Sequence, residues 1–360
     1  MDRFYMKLAM RQAEKSRGKC SPNPFVGAVI VKNGKLIAEG STQPYGQDHA
    51  EVVAIKKAGK QAQGATMYVS LEPCCHYGKT PPCTDAIIQS GIKRVVVGIL
   101  DPNPLVSGGG IKELIAAGIN TEYGLFEEDI KEQLEYYLSY ISKKRPFVIW
   151  KTALSWDGKY AASDGSSQWI TNPASRRFVH KMRSEVEVVL SGIKSVETDN
   201  AMLNVRGIRK AKQPLRLVLD PFLDIKAASL FVKSAKQYPA LIMYHSAPKE
   251  KVECLQNLGI ELIQVSGNND KLNLNEVLLK LWEKKLYSVL LETGNKLSEA
   301  FWKNCLIDKC AIFYGNRILG GENGCLKSYD RKCIDRAVHL SKVKVKKLQD
   351  NVLVMGYPVW

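Results

Sequence analysis

The chain reads as a two-domain α/β protein whose first half is a mixed sheet with helices on both faces. Three observations predict this. Its 360 residues, 45% apolar and 24% charged, suffice for two full cores. A helical pattern, a hairpin signal and then alternating strand and helix patterns fill the stretch before Lys143, the order expected of a layered α/β domain. A polar break, Lys143-Lys144-Arg145-Pro146, precedes a fresh series of strands. The domains are therefore placed at residues 1–145 and 146–360.

In the first half, residues 2–17 pattern as an amphipathic helix with Phe4, Leu8 and Ala9 on one side, ended by Pro22-Asn23-Pro24. Phe25 to Lys32 is an apolar strand, and Asn33-Gly34 is a hairpin signal leading into Lys35 to Glu39. Small and apolar residues recur at helical spacing from Ala50 to Ala58, so His49 opens a helix with Glu51 in its first turn. Thr66 to Leu71 is a buried strand, and Cys83 starts another helix. Arg94 to Ile99 is apolar enough for a central strand. Ile111 to Ala117 is a helix, Asn120 to Gly124 an edge strand, and Glu127 to Lys143 one long helix.

The second half begins with a strand from Phe147 to Thr152. Thr171 or Asn172 caps a helix with Pro173 in its first turn, and that helix carries Arg176, Arg177, His180 and Arg183. Strands follow at 187–191, 215–220, 240–244, 261–265, 288–292 and 310–314, with Asp199 and Leu203 to Arg206 in a loop and the clearest helix at 274–284. No Gly-x-Gly-x-x-Gly follows the first strand, so the usual dinucleotide fingerprint is absent.

The most informative chemistry lies between His49 and Cys83: His49-Ala50-Glu51, then Glu72-Pro73-Cys74-Cys75-His76, then Pro81-Pro82-Cys83. One imidazole and two thiolates suit zinc and leave a fourth position open. Zinc lowers the pKa of water, and a carboxylate outside the ligand set carries the proton. His-x-Glu followed by Pro-Cys and a second Cys is the zinc deaminase signature. His49, Cys74 and Cys83 are thus the expected ligands and Glu51 the catalytic acid/base. The usual two residues between the cysteines are here Cys75 to Pro82, and Cys75 and His76 are rival ligands for a closed, structural site. Glu51 favours the open one, because a structural site has no use for it.

The long insert Pro73-Cys74-Cys75-His76-Tyr77-Gly78-Lys79-Thr80-Pro81-Pro82-Cys83, together with Pro22 to Gly27 and Asp101-Pro102-Asn103-Pro104, resembles the RibD/RibG family of bifunctional riboflavin-biosynthesis deaminase/reductases. In the second half Lys151 to Gly158, Ser167 to Thr171, Asp199 with Leu203 and Arg206, and Pro214 to Asp220 resemble the reductase domain of the same family. The resemblance implies a cytidine-deaminase-like three-layer domain followed by a dihydrofolate-reductase-like one. It implies zinc and NADPH as cofactors and a phosphoribosylated pyrimidine that is first deaminated and then reduced from ribosyl to ribityl. Carried over residue by residue, Asn23, Lys79, Asp101 and Asn103 would hold the deaminase substrate. Ala153, Trp169, Ser195, Asp199 and the turn Gly294-Asn295-Lys296 would contact the nucleotide. Ser167, Arg183, Leu203, Arg206 and Glu292 would contact the reductase substrate, with Lys151 and Asp199 the groups for proton transfer. The chain departs from the family pattern in three places: Thr42 stands for a His, Thr293 for a Gly, and the pair Asn200-Ala201 for an acidic-Pro or Asn-Pro pair.

The net charge of +16 is uneven: residues 1–145 hold 19 Lys and Arg against 15 Asp and Glu, and the remainder 33 against 21. A basic second half suits phosphorylated ligands. A nucleic-acid deaminase with a basic domain is the competing enzyme reading, and a non-catalytic zinc-stabilised binding protein the competing non-enzyme one. No aromatic-basic stripe supports nucleic acid, and Lys342, Lys344, Lys346 and Lys347 interleave with Val343 and Val345 as on a solvated strand. Nine cysteines, three in the metal motif and six scattered, fit a reducing cytoplasm. No apolar run reaches the roughly 18 residues of a membrane span, and Met1 to Leu8 lacks the apolar core of a secretory signal. A homo-oligomer, dimer or tetramer, is expected.

Overall fold

In the computed structural model, which describes residues 1–209, 212–268 and 270–360, the chain divides into two units, Met1–Arg145 and Pro146–Trp360. The first contains α1 (Asp2–Glu14), β1 (Gly27–Lys32), β2 (Lys35–Ser41), α2 (Ala50–Ala58), β3 (Thr66–Leu71), α3 (Cys83–Gln89), β4 (Arg94–Ile99), α4 (Gly109–Ala116), β5 (Asn120–Tyr123), α5 (Glu127–Gln133) and α6 (Glu135–Lys143). The strands form one mixed sheet in the order β2-β1-β3-β4-β5. The β1–β2 hairpin and the β1–β3 pair are antiparallel, while β3, β4 and β5 run parallel.

Two glycines fix the layering. A Cβ on Gly27 would stand 2.0 Å from the Ala9 carbonyl oxygen of α1, and one on Gly40 would stand 2.0 Å from the Ala50 carbonyl oxygen of α2. Gly40 pairs with Ala28, the neighbour of Gly27, so the two glycines point to opposite faces of the sheet. Helices α1 and α2 therefore cover opposite faces, and each is drawn into backbone contact where no side chain intervenes. Strands β3 and β4 are buried almost throughout, as sheets covered on both faces require.

The single helix expected from Glu127 to Lys143 is two helices. Leu134 joins them at φ −99° and ψ 18° and is fully buried. Its amide still bonds to the Ile130 carbonyl (2.8 Å), and the Leu138 amide to its own carbonyl (3.0 Å). Helical spacing thus survives the bend, and the sequence pattern runs through it unbroken.

The second unit contains β6 (Phe147–Leu154), α7 (Pro173–Glu185), β7 (Val188–Gly192), α8 (Ile193–Asp199), β8 (Leu215–Leu219), α9 (Leu230–Lys233), β9 (Ala240–Tyr244), α10 (Lys249–Asn257), β10 (Glu261–Gln264), the small hairpin β11 (Gly267–Asn268) and β12 (Lys271–Leu272), α11 (Leu274–Glu283), β13 (Ser288–Glu292), α12 (Asn295–Lys303), β14 (Lys309–Tyr314), β15 (His339–Leu348) and β16 (Asn351–Val359). Nine strands form a sheet in the order β10-β9-β8-β7-β13-β6-β14-β16-β15. It is parallel from β10 to β14 and ends in the antiparallel β16–β15 hairpin.

One face of this sheet, built by Val148, Leu190, Leu217, Leu241, Leu291 and their alternates, packs on Leu274, Val277, Leu278 and Leu281 of α11 and on Phe301 and Trp302 of α12. Each such side chain, fully buried, contributes about 1.5–3 kcal/mol. Asn172 caps α7 by accepting from the Ser175 amide at 2.8 Å. Asp199, expected in a loop, is the last residue of α8. No helix among the described residues is long and apolar enough to cross a membrane.

Candidate active sites

In the first unit the ends of three elements converge. His49 is the N-cap residue of α2, Cys74 follows β3, and Cys83 opens α3. His49 Nδ1 lies 3.5 Å from Cys74 Sγ and 3.3 Å from Cys83 Sγ, and the Cys83 amide donates to Cys74 Sγ at 3.4 Å. The three ligand atoms lie within 4.8 Å of one another, and among the described residues this is the group placed to hold a metal. Tetrahedral zinc bonds of about 2.3 Å to sulfur and 2.0 Å to nitrogen put such atoms about 3.5 Å apart, so the donor set fits the ion. The rivals Cys75 and His76 stay outside it: Cys75 Sγ turns to the Leu105 carbonyl at 3.8 Å.

The two thiols are shifted in opposite directions. A hydrogen bond with the Cys83 thiol, and then His49, hold Cys74 well below the ordinary thiol range, while the same bond and burial raise Cys83. A divalent cation between the two would deprotonate both. His49 Nε2 faces the Asn23 side-chain amide at 3.4 Å. With Nδ1 turned to the metal the ring proton sits on Nε2, so Asn23, whose Nδ2 lies at this distance, must turn its amide to present the oxygen as acceptor. Glu51, 3% exposed, is pushed up to about 7 by burial, against the lowering effect of His49. A carboxyl poised there takes and returns a proton near neutral pH.

Of the expected substrate residues, Asp101 is buried, accepts from Tyr137 Oη (2.8 Å) and the Asn103 amide (2.9 Å), and is pushed up to about 6, chiefly by burial. The Asn103 side chain accepts from the Leu105 amide. Lys79 Nζ sits 4.5 Å above the Tyr45 ring and takes no part in the hydrogen bonds recorded around His49. Thr42 is buried: its hydroxyl accepts from the Val26 amide at 3.0 Å, and its carbonyl from the Ser16 hydroxyl at 2.6 Å. At this departure from the family pattern the side chain ties the end of β2 to residue 26.

In the second unit a charge cluster stands at the carboxyl end of β13. Arg183, from the last turn of α7, grips Glu292 through Nε–Oε1 at 2.6 Å and Nη2–Oε2 at 3.1 Å, and donates Nη1 to the Asn204 carbonyl at 2.9 Å. Lys151, paired with Glu292 across β6 and β13, brings Nζ to 3.6 Å. Burial pushes the Glu292 carboxyl up, but the two cations outweigh it and hold it at about 2. Lys151 shares that one anion with Arg183, and burial pulls its ammonium below the ordinary range. His180 is pushed down to about 4 by burial and by Arg183 and Arg206; its Nδ1 accepts from the Arg206 amide at 3.2 Å. Leu203, buried with φ 56°, turns this segment so that Asn204 and Arg206 meet α7.

The residues expected to contact the nucleotide make contacts of their own. Ser195 Oγ accepts from the Gly294 amide at 2.9 Å, and Gly294 is the N-cap residue of α12. Asn295 Nδ2 donates to the Gly324 carbonyl at 2.9 Å, and Lys296 is exposed. Asp199 is exposed and reached by Gln168 Nε2 at 3.5 Å. Trp169 is 59% exposed beneath the Arg176 guanidinium, a solvent-facing ring rather than a core one. Ala153 lies on β6 beside Phe313, and Ser167 is half-buried in the segment between β6 and α7. The start of α12, whose N-cap residue Gly294 makes no side-chain cap, lies beside Ser195, and a helix start of this kind suits phosphate oxygens.

Sequence reasoning assigned no role to Glu72 or Arg216. Arg216 is fully buried and donates to the Met202 carbonyl at 3.0 Å and the Tyr238 carbonyl at 2.7 Å, holding the segment before Leu203. The signal was present: an arginine inside the apolar strand Leu215 to Leu219, and a glutamate closing the apolar strand before Pro73.

Comparisons with known proteins bear on both sites. The family model described as the cytidine and deoxycytidylate deaminase zinc-binding region matches residues 1–99, and the RibD C-terminal domain matches residues 146–354. The riboflavin biosynthesis protein RibD of Aquifex aeolicus is 40% identical over 98% of this chain and 98% of its own. The solved RibD of Acinetobacter baumannii superposes with a TM-score of 0.90 at 34% identity, over 100% of this chain and 99% of the other. A Thermotoga maritima structure described as a diaminohydroxyphosphoribosylaminopyrimidine deaminase/5-amino-6-(5-phosphoribosylamino)uracil reductase gives 0.87 at 34% identity, over 100% and 99%. The fold class is thereby fixed as a cytidine-deaminase-like unit followed by a dihydrofolate-reductase-like one.

Proposed function

The chain belongs to the RibD family of riboflavin biosynthesis proteins, and we propose that its two chemistries are carried by the two clusters just described. It is a bifunctional enzyme using zinc and NADPH: it deaminates a diaminopyrimidinone bearing a phosphoribosylamino group by hydrolysis, then reduces the ribosyl group to ribityl.

For deamination, His49, Cys74 and Cys83 hold zinc, which supplies Lewis acidity and lowers the pKa of water. Glu51 accepts the proton that water gives up and delivers it to the departing amino nitrogen, so that ammonia leaves. Asn23, Lys79, Asp101 and Asn103 hold the pyrimidine and its phosphoribosyl group.

For reduction, NADPH supplies the hydride. Ala153, Trp169, Ser195, Asp199 and Gly294 to Lys296 hold the nucleotide. Ser167, Arg183, Leu203, Arg206 and Glu292 form the sugar-phosphate side. Because Arg183 is committed to Glu292, Arg206 is the cation we assign to the substrate phosphate. Lys151 and Asp199 are the proton-transfer groups: Lys151, with its ammonium pulled down by burial, releases a proton more readily than a surface lysine.

We further propose a cytoplasmic homo-oligomer, dimer or tetramer, with neither nucleic acid nor membrane as partner. The observation that carries the reading is the His49–Cys74–Cys83 group with the buried Glu51 carboxyl at about 7 beside it. A coupled assay with the diaminopyrimidinone phosphate tests it. Ammonia is released without NADPH, and NADPH is oxidised only after ammonia has been released. NADPH oxidation that precedes ammonia release contradicts the order, and no ammonia release contradicts the deaminase.

A further inference from the structure

Glu72 closes the run that leads from β3 to Cys74. It is 3% exposed, and both its carboxylate oxygens are occupied by backbone amides. Oε2 accepts from the amides of Asp101 (3.1 Å) and Gly108 (3.0 Å), and Oε1 from that of Ile111 (3.2 Å) in the first turn of α4. These amides bracket the loop that carries Asp101 and Asn103. Hydrogen bonds to a charged acceptor are the stronger kind, and the start of a helix favours a negative charge.

Two further contacts seat the same loop on the metal-ligand segment. A Cβ on Gly110 would stand 2.1 Å from the Pro73 carbonyl oxygen, so only a bare backbone fits there. The Cys75 thiol reaches the Leu105 carbonyl at 3.8 Å. Residues 72, 73 and 75, on either side of the ligand Cys74, thus each hold a different point of the stretch from Asp101 to Ile111.

We propose that Glu72 is a positioning residue for deamination, fixing the register of the substrate loop Asp101–Asn103 against the metal-ligand segment. The inference rests on the assignment of Asp101 to substrate binding made above. The contacts of Glu72 are the backbone amides of Asp101, Gly108 and Ile111, and it acts through the backbone of Asp101. Replacing one carboxylate oxygen by an amide nitrogen turns an acceptor of the loop's N–H groups into a donor that opposes one. The loop then loses its fixed place while β3 and the ligands keep theirs.

The test uses the full chain with E72Q, D101N and the double variant, reading deaminase kcat and KM, bound zinc, and NADPH oxidation with already deaminated substrate. E72Q should raise the deaminase KM about tenfold, the scale of one lost charged hydrogen bond, with kcat, zinc and NADPH oxidation near normal. In the double variant KM should match D101N alone, because both changes act on one contact. An unchanged KM in E72Q beside a raised one in D101N overturns the clamp alone, as does loss of zinc in E72Q or multiplication of the two effects. An unchanged KM in D101N removes the substrate role of Asp101 and overturns both assignments. Amide hydrogen exchange on the unaltered chain decides the matter even if E72Q fails to fold. The Asp101 and Gly108 amides, outside any helix or strand, should exchange slowly, and fast exchange at both overturns the proposal.

Discussion

Arg183 and Glu292, 109 residues apart in sequence, meet in a two-pronged ion pair of 2.6 and 3.1 Å at the carboxyl end of a parallel strand. The carboxyl is held at about 2, below its ordinary value near 4.5. A depressed carboxyl contributes stability that is complete above its unfolded pKa and lost as pH falls through the folded one. The contribution should therefore disappear between about pH 4.5 and pH 2. Unfolding midpoints measured across that window should fall more steeply for the unaltered chain than for E292Q. Arg183→Ala, which leaves the buried carboxylate with Lys151 alone, should cost about 3–5 kcal/mol at neutral pH.

The metal centre gives a prediction that separates neighbouring cysteines. The purified protein should hold about one zinc per chain. Cys74→Ala should lose it, while Cys75→Ser should keep both zinc and ammonia release, because its thiol faces the Leu105 carbonyl. Metal analysis of the two variants is sufficient. Loss of zinc from Cys75→Ser would contradict the ligand set.

Glu51 should be dispensable for binding zinc and indispensable for turnover. Glu51→Gln keeps the shape but cannot carry a proton, so deamination should slow by at least ~100-fold with zinc retained. Ammonia release at the unaltered rate would instead fit a structural metal site.

The layering gives a prediction about the fold. Gly27→Val places side-chain carbon where the Ala9 carbonyl oxygen now lies 2.0 Å from an ideal Cβ. Helix α1 must move off the sheet, and thermal unfolding should show a destabilisation of about 3 kcal/mol or more, the upper end of ordinary overpacking or beyond. A midpoint matching the unaltered chain would contradict the backbone contact of α1 with β1.

Much of this was legible in the sequence where a pattern is local. Thr66 to Leu71 and Arg94 to Ile99 are continuous apolar runs and form the strands their composition predicts. The Asn33-Gly34 turn joins an antiparallel pair. What the sequence concealed depends on distant partners. The bend at the buried Leu134 keeps helical spacing, so no break in the pattern marks it. Strand β16 contains Gly356 and Pro358, which speak against a strand in isolation, and is held by β14 on one side and β15 on the other. Pairing of Ser195 with Gly294, or Glu72 with Gly108, has no sequence signature, because each joins residues brought together only by the sheet order.

The central claim is that one chain carries two separable sites, and complementation between two variants tests it most directly. Glu51→Gln, supplied with already deaminated substrate, should oxidise NADPH at the normal rate. Arg206→Ala should release ammonia normally but bind the phosphorylated sugar for reduction about ten- to a hundredfold more weakly. Mixed in solution, the two should restore the full conversion, since the intermediate diffuses from one chain to the other. If Glu51→Gln fails to reduce supplied intermediate, if Arg206→Ala also stops ammonia release, or if the mixture stays inactive, the two-site account is contradicted.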